Sequence, residues 1–155
     1  MNSKTSIYTS PSLEEIENFL ISVDTDFPIP LSKKTRLDNL SKKFFDTANC
    51  FAIKKDGKIV SAVFGYIDNA FDDLAYISVV ATLRDYRGQG YSKTLVTEFS
   101  GFAELSQKSG VHLYCDASNK PALSMYKKLG FSDYIIKDEL RPSDCHLIKR
   151  FEGKQ

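Results

Sequence analysis

The chain lacks the runs and imbalances that would tie it to a membrane, a nucleic acid or a metal. No apolar stretch is long enough to span a bilayer. The opening residues, MNSKTSIYTSPSLEE, lack the apolar core of a signal peptide. The net charge is only +1, which argues against a broad electrostatic footprint for nucleic acid. Three cysteines, Cys50, Cys115 and Cys145, show neither metal-ligand spacing nor a disulfide pattern. Buried thiols and a cytoplasmic location are therefore expected. His112 and His146 fall one to a strand and far apart in sequence, which reads as packing or surface histidines and argues against a metal site. There is no internal repeat, linker or low-complexity segment. What is present is ordinary: 155 residues, 42% apolar and 26% charged, enough for one domain over 1–155 with its own core.

Periodicity supplies the elements. Ser12 and Glu15 form a capping-box pair ahead of Ile16, Phe19, Leu20 and Val23, which recur at helical spacing. Pro28 and Pro30 then break the helix, because each fixes φ and removes an amide donor. A second helix is predicted from Ser32 to about Phe45, with Leu37, Leu40 and Phe44 on one face. Lys33, Lys34, Lys42 and Lys43 make its other face, read first as solvated and second as a basic rim for a phosphate or an acidic acceptor. CFAIKKDGKIVSAVFGYI reads as two strands around the tight turn Asp56-Gly57. Leu74 to Leu83 is a third strand. Leu95, Val96, Phe99 and Phe102 mark one face of the next helix, with Gly110 as its C-terminal cap. VHLYCDA is a strand, and NKPALSMYKKLG a short helix with Pro121 near its start and Gly130 at its end. FSDYIIK and CHLIKRF read as two last strands. This order gives a mixed α/β or α+β domain.

Between the third strand and the following helix runs LRDYRGQGYSKTL. Gly88 and Gly90 free the backbone there and strip the loop of side chains. Loop amides, the unpaired amides of a helix start and the helix dipole together make an anion site, for which pyrophosphate is the usual occupant. Arg87 and Lys93 could add charge at its mouth. A dinucleotide fingerprint needs a third glycine and a downstream acidic residue, and neither is present. No P-loop pattern occurs. On its own the glycine pair is a weak signal, and a plain turn competes with it.

The neighbouring residues shift that balance. VATLRDYRGQGYSKTLV resembles the acetyl-CoA-binding motif of the GNAT superfamily of N-acetyltransferases, R/Q-x-x-G-x-G/A, here Arg87-Gly88-Gln89-Gly90-Tyr91-Ser92. SNKPALSMYKKLGF is similar to the family's second signature, N-x-x-A-x-x-x-Y-x-x-x-G-F, met by Asn119, Ala122, Tyr126, Gly130 and Phe131. The resemblance implies a mixed, splayed central β-sheet flanked by helices. It implies acetyl-CoA as co-substrate and no metal. By that resemblance Arg87, Gly88, Gln89, Gly90, Tyr91, Ser92 and Lys93 hold the pyrophosphate. Val80, Ala81 and Thr82 pair with the pantetheine arm, and Asn119 reaches it by its amide. Tyr126 becomes the acid that protonates the departing thiolate, a role a phenol suits because it stays protonated at neutral pH. The competing readings are a packing tyrosine and a helix-capping asparagine.

Some positions depart from the family pattern. Ser92 stands where glycine or alanine is preferred, and Arg84 where proline is common. The general base is missing: neither AYISVVATL nor VHLYCDA contains a glutamate. Tyr114 takes the place some relatives give it. Asp116 is the second strand's only carboxylate, Asp72 and Asp73 read as a solvated turn, and Tyr76 and Ser78 could position a water. A covalent route through Cys115 is disfavoured, since nothing basic adjoins it in sequence. The acceptor, a small-molecule or peptide amine, is expected near DFPIPLSKKTRLDNL, Tyr66 to Phe71 and IIKDELRPSDCH, with Phe27, Tyr66, Phe71 and Tyr134 as an aromatic lining. PIPLS followed by a basic helix is similar to a subset of bacterial members. The expected function is direct acetyl transfer to a primary amine, with a non-catalytic CoA-binding sensor or subunit as the alternative. A homodimer through the last strands is a guess.

Overall fold

The computed structural model describes residues 6–68, 73–136 and 138–152. Among them are α1 (Leu13–Val23), α2 (Leu37–Thr47), β1 (Asn49–Lys55), β2 (Lys58–Tyr66), β3 (Leu74–Thr82), α3 (Tyr91–Leu105), β4 (Gly110–Asp116), α4 (Lys120–Lys128), β5 (Ser132–Asp133) and β6 (Asp144–Arg150). The strands form one mixed sheet in the order β1-β2-β3-β4-β6-β5, the α/β class expected. No helix among the described residues is long and apolar enough to cross a membrane. The chain divides into two compact units.

The first unit comprises Met1–Phe64 and Val79–Val96. The capping box at the start of α1 forms as read. Ser12 Oγ accepts the Glu15 N–H at 3.1 Å, and Glu15 Oε1 accepts the Ser12 N–H at 2.9 Å. Ile16, Phe19, Leu20 and Val23 are all buried. Phe64 of β2 stacks on Phe44 of α2 at 4.5 Å and meets Phe19 of α1 at 6.4 Å. Each buried phenylalanine is worth roughly 1.5–3 kcal/mol. The hairpin turns through Asp56 and Gly57 at φ 52° and 77°, the positive pair a two-residue turn requires. The second helix begins later than expected. Ser32 gives both its N–H (2.8 Å) and its hydroxyl (2.6 Å) to the Asp24 carboxylate, which holds Leu31–Lys33 as a separate 3₁₀ turn. Arg36 is then extended (φ −72°, ψ 136°), so α2 starts at Leu37. Leu37 and Leu40 are half-buried, while Ser41 joins Phe44 in the core by bonding the Leu37 carbonyl. Lys33, Lys34, Lys42 and Lys43 are exposed, as a solvated face should be.

The second unit comprises Gly65–Ser78 and Thr97–Gln155. β3 runs parallel to β4 from Leu74↔Gly110 to Ile77↔Leu113. β4 is antiparallel to β6 from Gly110↔Arg150 to Asp116↔Asp144. Three expectations need correction here. First, Gly110 does not cap α3. The helix stops at Leu105 and Gln107 takes the left-handed position at φ 69°. Gln107 N–H bonds Glu104 O and Lys108 N–H bonds Ala103 O, a Schellman pair built without glycine. Gly110 instead opens β4, where a Cβ would lie 2.3 Å from Lys149 O. Second, Phe102 is half-buried, and the α3 face is completed by Ser100 and Ala103. Third, FSDYIIK yields only the two residues of β5, opposite Ile148 and Leu147. Tyr134 N–H still reaches His146 O at 2.8 Å, but the Ile136 carbonyl turns to the His146 side chain and the ladder ends.

Candidate functional site

The glycine loop belongs to the first unit. After β3 the chain makes one 3₁₀ turn, Arg84–Tyr86, and α3 begins at Tyr91. Gly88 and Gly90 have φ of 81° and 75°, and a Cβ at either would meet nothing within 4 Å. Glycine is thus required by the dihedral, not by crowding, and the backbone faces open space. Thr94 N–H to Gly90 O, 3.0 Å, is the first helical bond. The amides of the opening turn therefore precede any intrahelical acceptor.

Three hydroxyls fasten this turn to the sheet. Ser92 Oγ lies 2.8 Å from Thr82 Oγ1, which lies 2.7 Å from Ser61 Oγ, which donates to Ala81 O at 3.2 Å. The serine that departs from the family pattern thus joins the first turn of α3 to β3 and β2. Val80 and Ala81 are half-buried and Thr82 is buried. Arg87 points its charge into the protein: Nε donates to Thr82 O at 3.0 Å, and its guanidinium pairs with Asp26 at 2.9 Å. Arg84 pairs with the same carboxylate at 3.4 Å. Lys93 is exposed. The Tyr91 hydroxyl donates to the Gln89 side chain at 3.1 Å, and Lys55 Nζ lies 5.9 Å from the centre of the Tyr91 ring. Phe27 is half-buried nearby in sequence to Asp26.

The second unit holds Tyr126. Asn119 caps α4, its Oδ1 accepting the Ala122 N–H at 3.3 Å. At the other end Gly130 sits at φ 100°. Gly130 N–H bonds Lys127 O at 3.1 Å and Phe131 N–H bonds Tyr126 O at 3.0 Å. This is again a Schellman motif, with the accompanying apolar contact between the Tyr126 and Phe131 rings, 5.5 Å apart and edge-on. The Y-x-x-x-G-F spacing is therefore a helix stop, and it fixes where Tyr126 points. Tyr126 is only 6% exposed. Burial, and secondarily Cys115, push its phenol well above the usual range, so it stays protonated. Burial likewise raises the Cys115 thiol to about 11, which leaves little thiolate for nucleophilic chemistry. Cys50 is buried in β1 and raised to about 12 for the same reason, and Cys145 is half-buried in β6.

The carboxylates weighed as a base are committed to turns. Asp116 Oδ1 accepts the Ser118 N–H at 2.8 Å and the Ser118 hydroxyl. Asp73, at φ 57°, accepts the Ser109 hydroxyl at 2.9 Å. Asp72 and Phe71 lie outside the described residues. The two histidines, by contrast, are not isolated. His112 and His146 are 4% and 5% exposed, and His112 Nδ1 lies 2.9 Å from His146 Nε2. Rings surround them: Tyr76 at 5.0 Å from His112, Tyr114 stacked on His146 at 4.2 Å, and Tyr134 at 4.9 Å. Arg141 rests over the other ring of this group, 4.5 Å from Tyr114, and pairs with Asp144 at 3.2 Å. The signal that joins the histidines is the β4–β6 register. His112 faces Ile148 and Tyr114 faces His146, so the histidines are diagonal neighbours on one face.

Comparison with known proteins agrees with this geometry. The profile of the Acetyltransferase (GNAT) family matches residues 16–131. The chain is 30% identical over 98 residues to a mycothiol acetyltransferase of Thermomonospora curvata, covering 62% of this chain and 32% of that protein. It spans about a third of the length of the mycothiol acetyltransferases it matches. In fold it is similar to Arabidopsis thaliana NAA60 in complex with a bisubstrate analogue (TM-score 0.76, 17% identity, 97% of this chain and 99% of that one). It is also similar to the PaiA N-acetyltransferase of Thermoplasma acidophilum in complex with coenzyme A (TM-score 0.73, 16% identity, 96% and 100%). The chain belongs to the acetyltransferase (GNAT) family.

Proposed function

We propose that this protein is an acetyl-CoA-dependent N-acetyltransferase that moves an acetyl group directly to a primary amine of a small molecule or peptide. The observation that carries this reading is the open cradle at Gly88 and Gly90, where no side chain of the protein fills the space above a left-handed backbone. A pyrophosphate fits such a place, because the helix start offers N–H groups and a favourable dipole.

In this reading the backbone from Gly88 through Gln89, Gly90, Tyr91, Ser92 and Lys93 holds the pyrophosphate, and Val80, Ala81 and Thr82 pair with the pantetheine. Asn119 contributes its amide nitrogen, since its oxygen is used by the cap. Arg87 holds the loop in shape through Asp26 and Thr82 rather than offering charge to the ligand. Acetyl-CoA supplies the acetyl group as a thioester. Tyr126 gives its proton to the departing sulfur, and its burial keeps that proton in place until then. Acceptor names among the relatives range from mycothiol biosynthesis to protein N-termini, so this reading extends to the amine class and no further.

The test is thiol release from acetyl-CoA with a panel of small amines, amino sugars and free-amine peptides, for the wild type and Tyr126→Phe. Release that needs an amine and falls strongly in the variant, with CoA affinity kept, supports the proposal. CoA binding without release by any amine favours the second reading, a non-catalytic CoA-binding subunit. That reading is motivated by the commitment of Asp116 and Asp73 to turns.

A further inference from the structure

We propose that the buried pair His112–His146 is the internal proton acceptor for the amine, with His112 as the base and His146 as the positioning residue. The inference rests on the reading of the chain as an N-acetyltransferase.

The argument begins with hydrogens. Ile136 O is a carbonyl and can only accept, so His146 Nδ1 carries the proton it donates there. In a neutral ring the other nitrogen, Nε2, then holds a lone pair. That lone pair lies 2.9 Å from His112 Nδ1, which must therefore be the N–H of the second ring. The remaining nitrogen of the neutral pair, His112 Nε2, has no hydrogen and is its basic atom. One main-chain carbonyl thus sets both tautomers in sequence.

The surroundings suit a base. The groups facing the pair are Tyr76 from β3, Tyr114 on β4, Tyr134 after β5, and Arg141 with Asp144 beyond Tyr114. None of the tyrosines is ionised near neutral pH, and burial raises Tyr76 and Tyr114 further. Burial and the neighbouring ring lower His112 from 6.5 to about 4, so the pair is neutral and able to accept. A proton that arrives at Nε2 leaves the His112–His146 bond intact, because Nδ1 keeps its hydrogen. The position suits the chemistry as well. In β4, His112 and Tyr114 point to one face and Leu113 and Cys115 to the other. Tyr126, the acid, is influenced by Cys115, so acid and base belong to opposite faces of one strand.

The step balances. The amine nitrogen forms a bond to the acetyl carbon, the carbon–sulfur bond breaks, and the sulfur takes the Tyr126 proton. The proton lost by nitrogen passes to His112 Nε2 through a water or the Tyr76 hydroxyl, since the imidazole itself is nearly enclosed. Solvent then returns a proton to Tyr126 and removes one from His112.

The test compares His112→Gln and His146→Gln with the wild type, using acetyl-CoA with glycinamide, largely protonated at neutral pH, and with hydroxylamine, which is not. Removing a general base typically lowers the rate by about 10²–10⁴-fold. The expected result is a loss of that order for glycinamide in His112→Gln, a much smaller loss for hydroxylamine, and unchanged thermal stabilisation by CoA. His146→Gln should lose less than His112→Gln and show the same contrast between amines. Imidazole nitrogen NMR of the wild type should find His112 protonated at Nδ1 and His146 at Nδ1. Equal losses for both amines, no loss, or the opposite His112 tautomer would overturn the inference while leaving the acetyltransferase reading standing. If His112→Gln does not fold, His146→Gln and the tautomers decide. No thiol release from the wild type with any amine defeats the acetyltransferase reading, and the inference with it.

Discussion

The loop at Arg84–Ser92 and the sheet of the second unit both depend on glycine, for opposite reasons. A Cβ added at Gly88 or Gly90 would meet nothing within 4 Å, and only their φ values forbid one. A Cβ added at Gly65 would lie 2.6 Å from the Phe99 ring, and one at Gly110 would lie 2.3 Å from Lys149 O. In the sheet, glycine admits a close approach that builds the fold. In the loop, it keeps a surface bare that the fold itself does not use. The same contrast runs through the polar groups. Arg87, Thr82, Ser92 and Asp26 tie the loop down at half-exposed positions, whereas Tyr126, His112 and His146 are shut away among rings.

The largest effect should come from the smallest change in the buried region. Tyr126→Phe keeps the ring on Phe131 and removes one oxygen. Acetyl transfer should fall by about 10²–10⁴-fold, measured by thiol release, with the unfolding midpoint nearly unchanged. A loss of stability matching the loss of activity would return Tyr126 to a packing role.

Gly110→Ala should be mainly a folding defect. Overpacking typically costs about 1–3 kcal/mol, and here the obstacle is backbone, so the upper part of that range is expected in urea unfolding. Gly90→Ala should behave in the reverse way. Its left-handed backbone costs about 1–2 kcal/mol with a side chain, which the loop can shed by changing shape. Acetyl-CoA affinity, measured by calorimetry, should then fall by more than stability does. If Gly90→Ala weakens folding and leaves affinity intact, the two kinds of glycine are one.

A smaller effect separates the regions by pH. The folded state holds His112 at about 4 against an ordinary 6.5. Between those values the unfolded chain binds the extra proton, so stability is full above pH 6.5 and declines as pH falls toward 4. Urea midpoints at pH 7 and pH 5 should differ more in the wild type than in His112→Gln. Equal slopes would mean that the histidine titrates alike in both states.

Much of this was legible where the cause is local. Ser12 with Glu15, Asp56 with Gly57, and Tyr126 with Gly130 and Phe131 each close a motif within a few residues, and each formed as read. The readings that failed depended on partners distant in sequence. Asp24 claims Ser32 and delays α2. The approach of Lys149 assigns Gly110 to β4, and Gln107 takes over the cap. The histidines meet only once β4 and β6 are paired, and no spacing within either strand announces it. The loop lay between these cases: its glycines were visible, but Asp26, which turns Arg87 inward, was not.

The central claim is that the bare loop holds the pyrophosphate of coenzyme A. Its most direct test is thermal unfolding of the wild type with acetyl-CoA, CoA, ATP or NAD, each far above its expected dissociation constant. A ligand at about a hundred times that constant stabilises the native state by about 2.7 kcal/mol. The account predicts a clear rise in midpoint with acetyl-CoA and CoA, none with ATP or NAD, and a diminished rise in Gly90→Ala. No rise with either CoA species, or an equal rise with ATP and NAD, would contradict it.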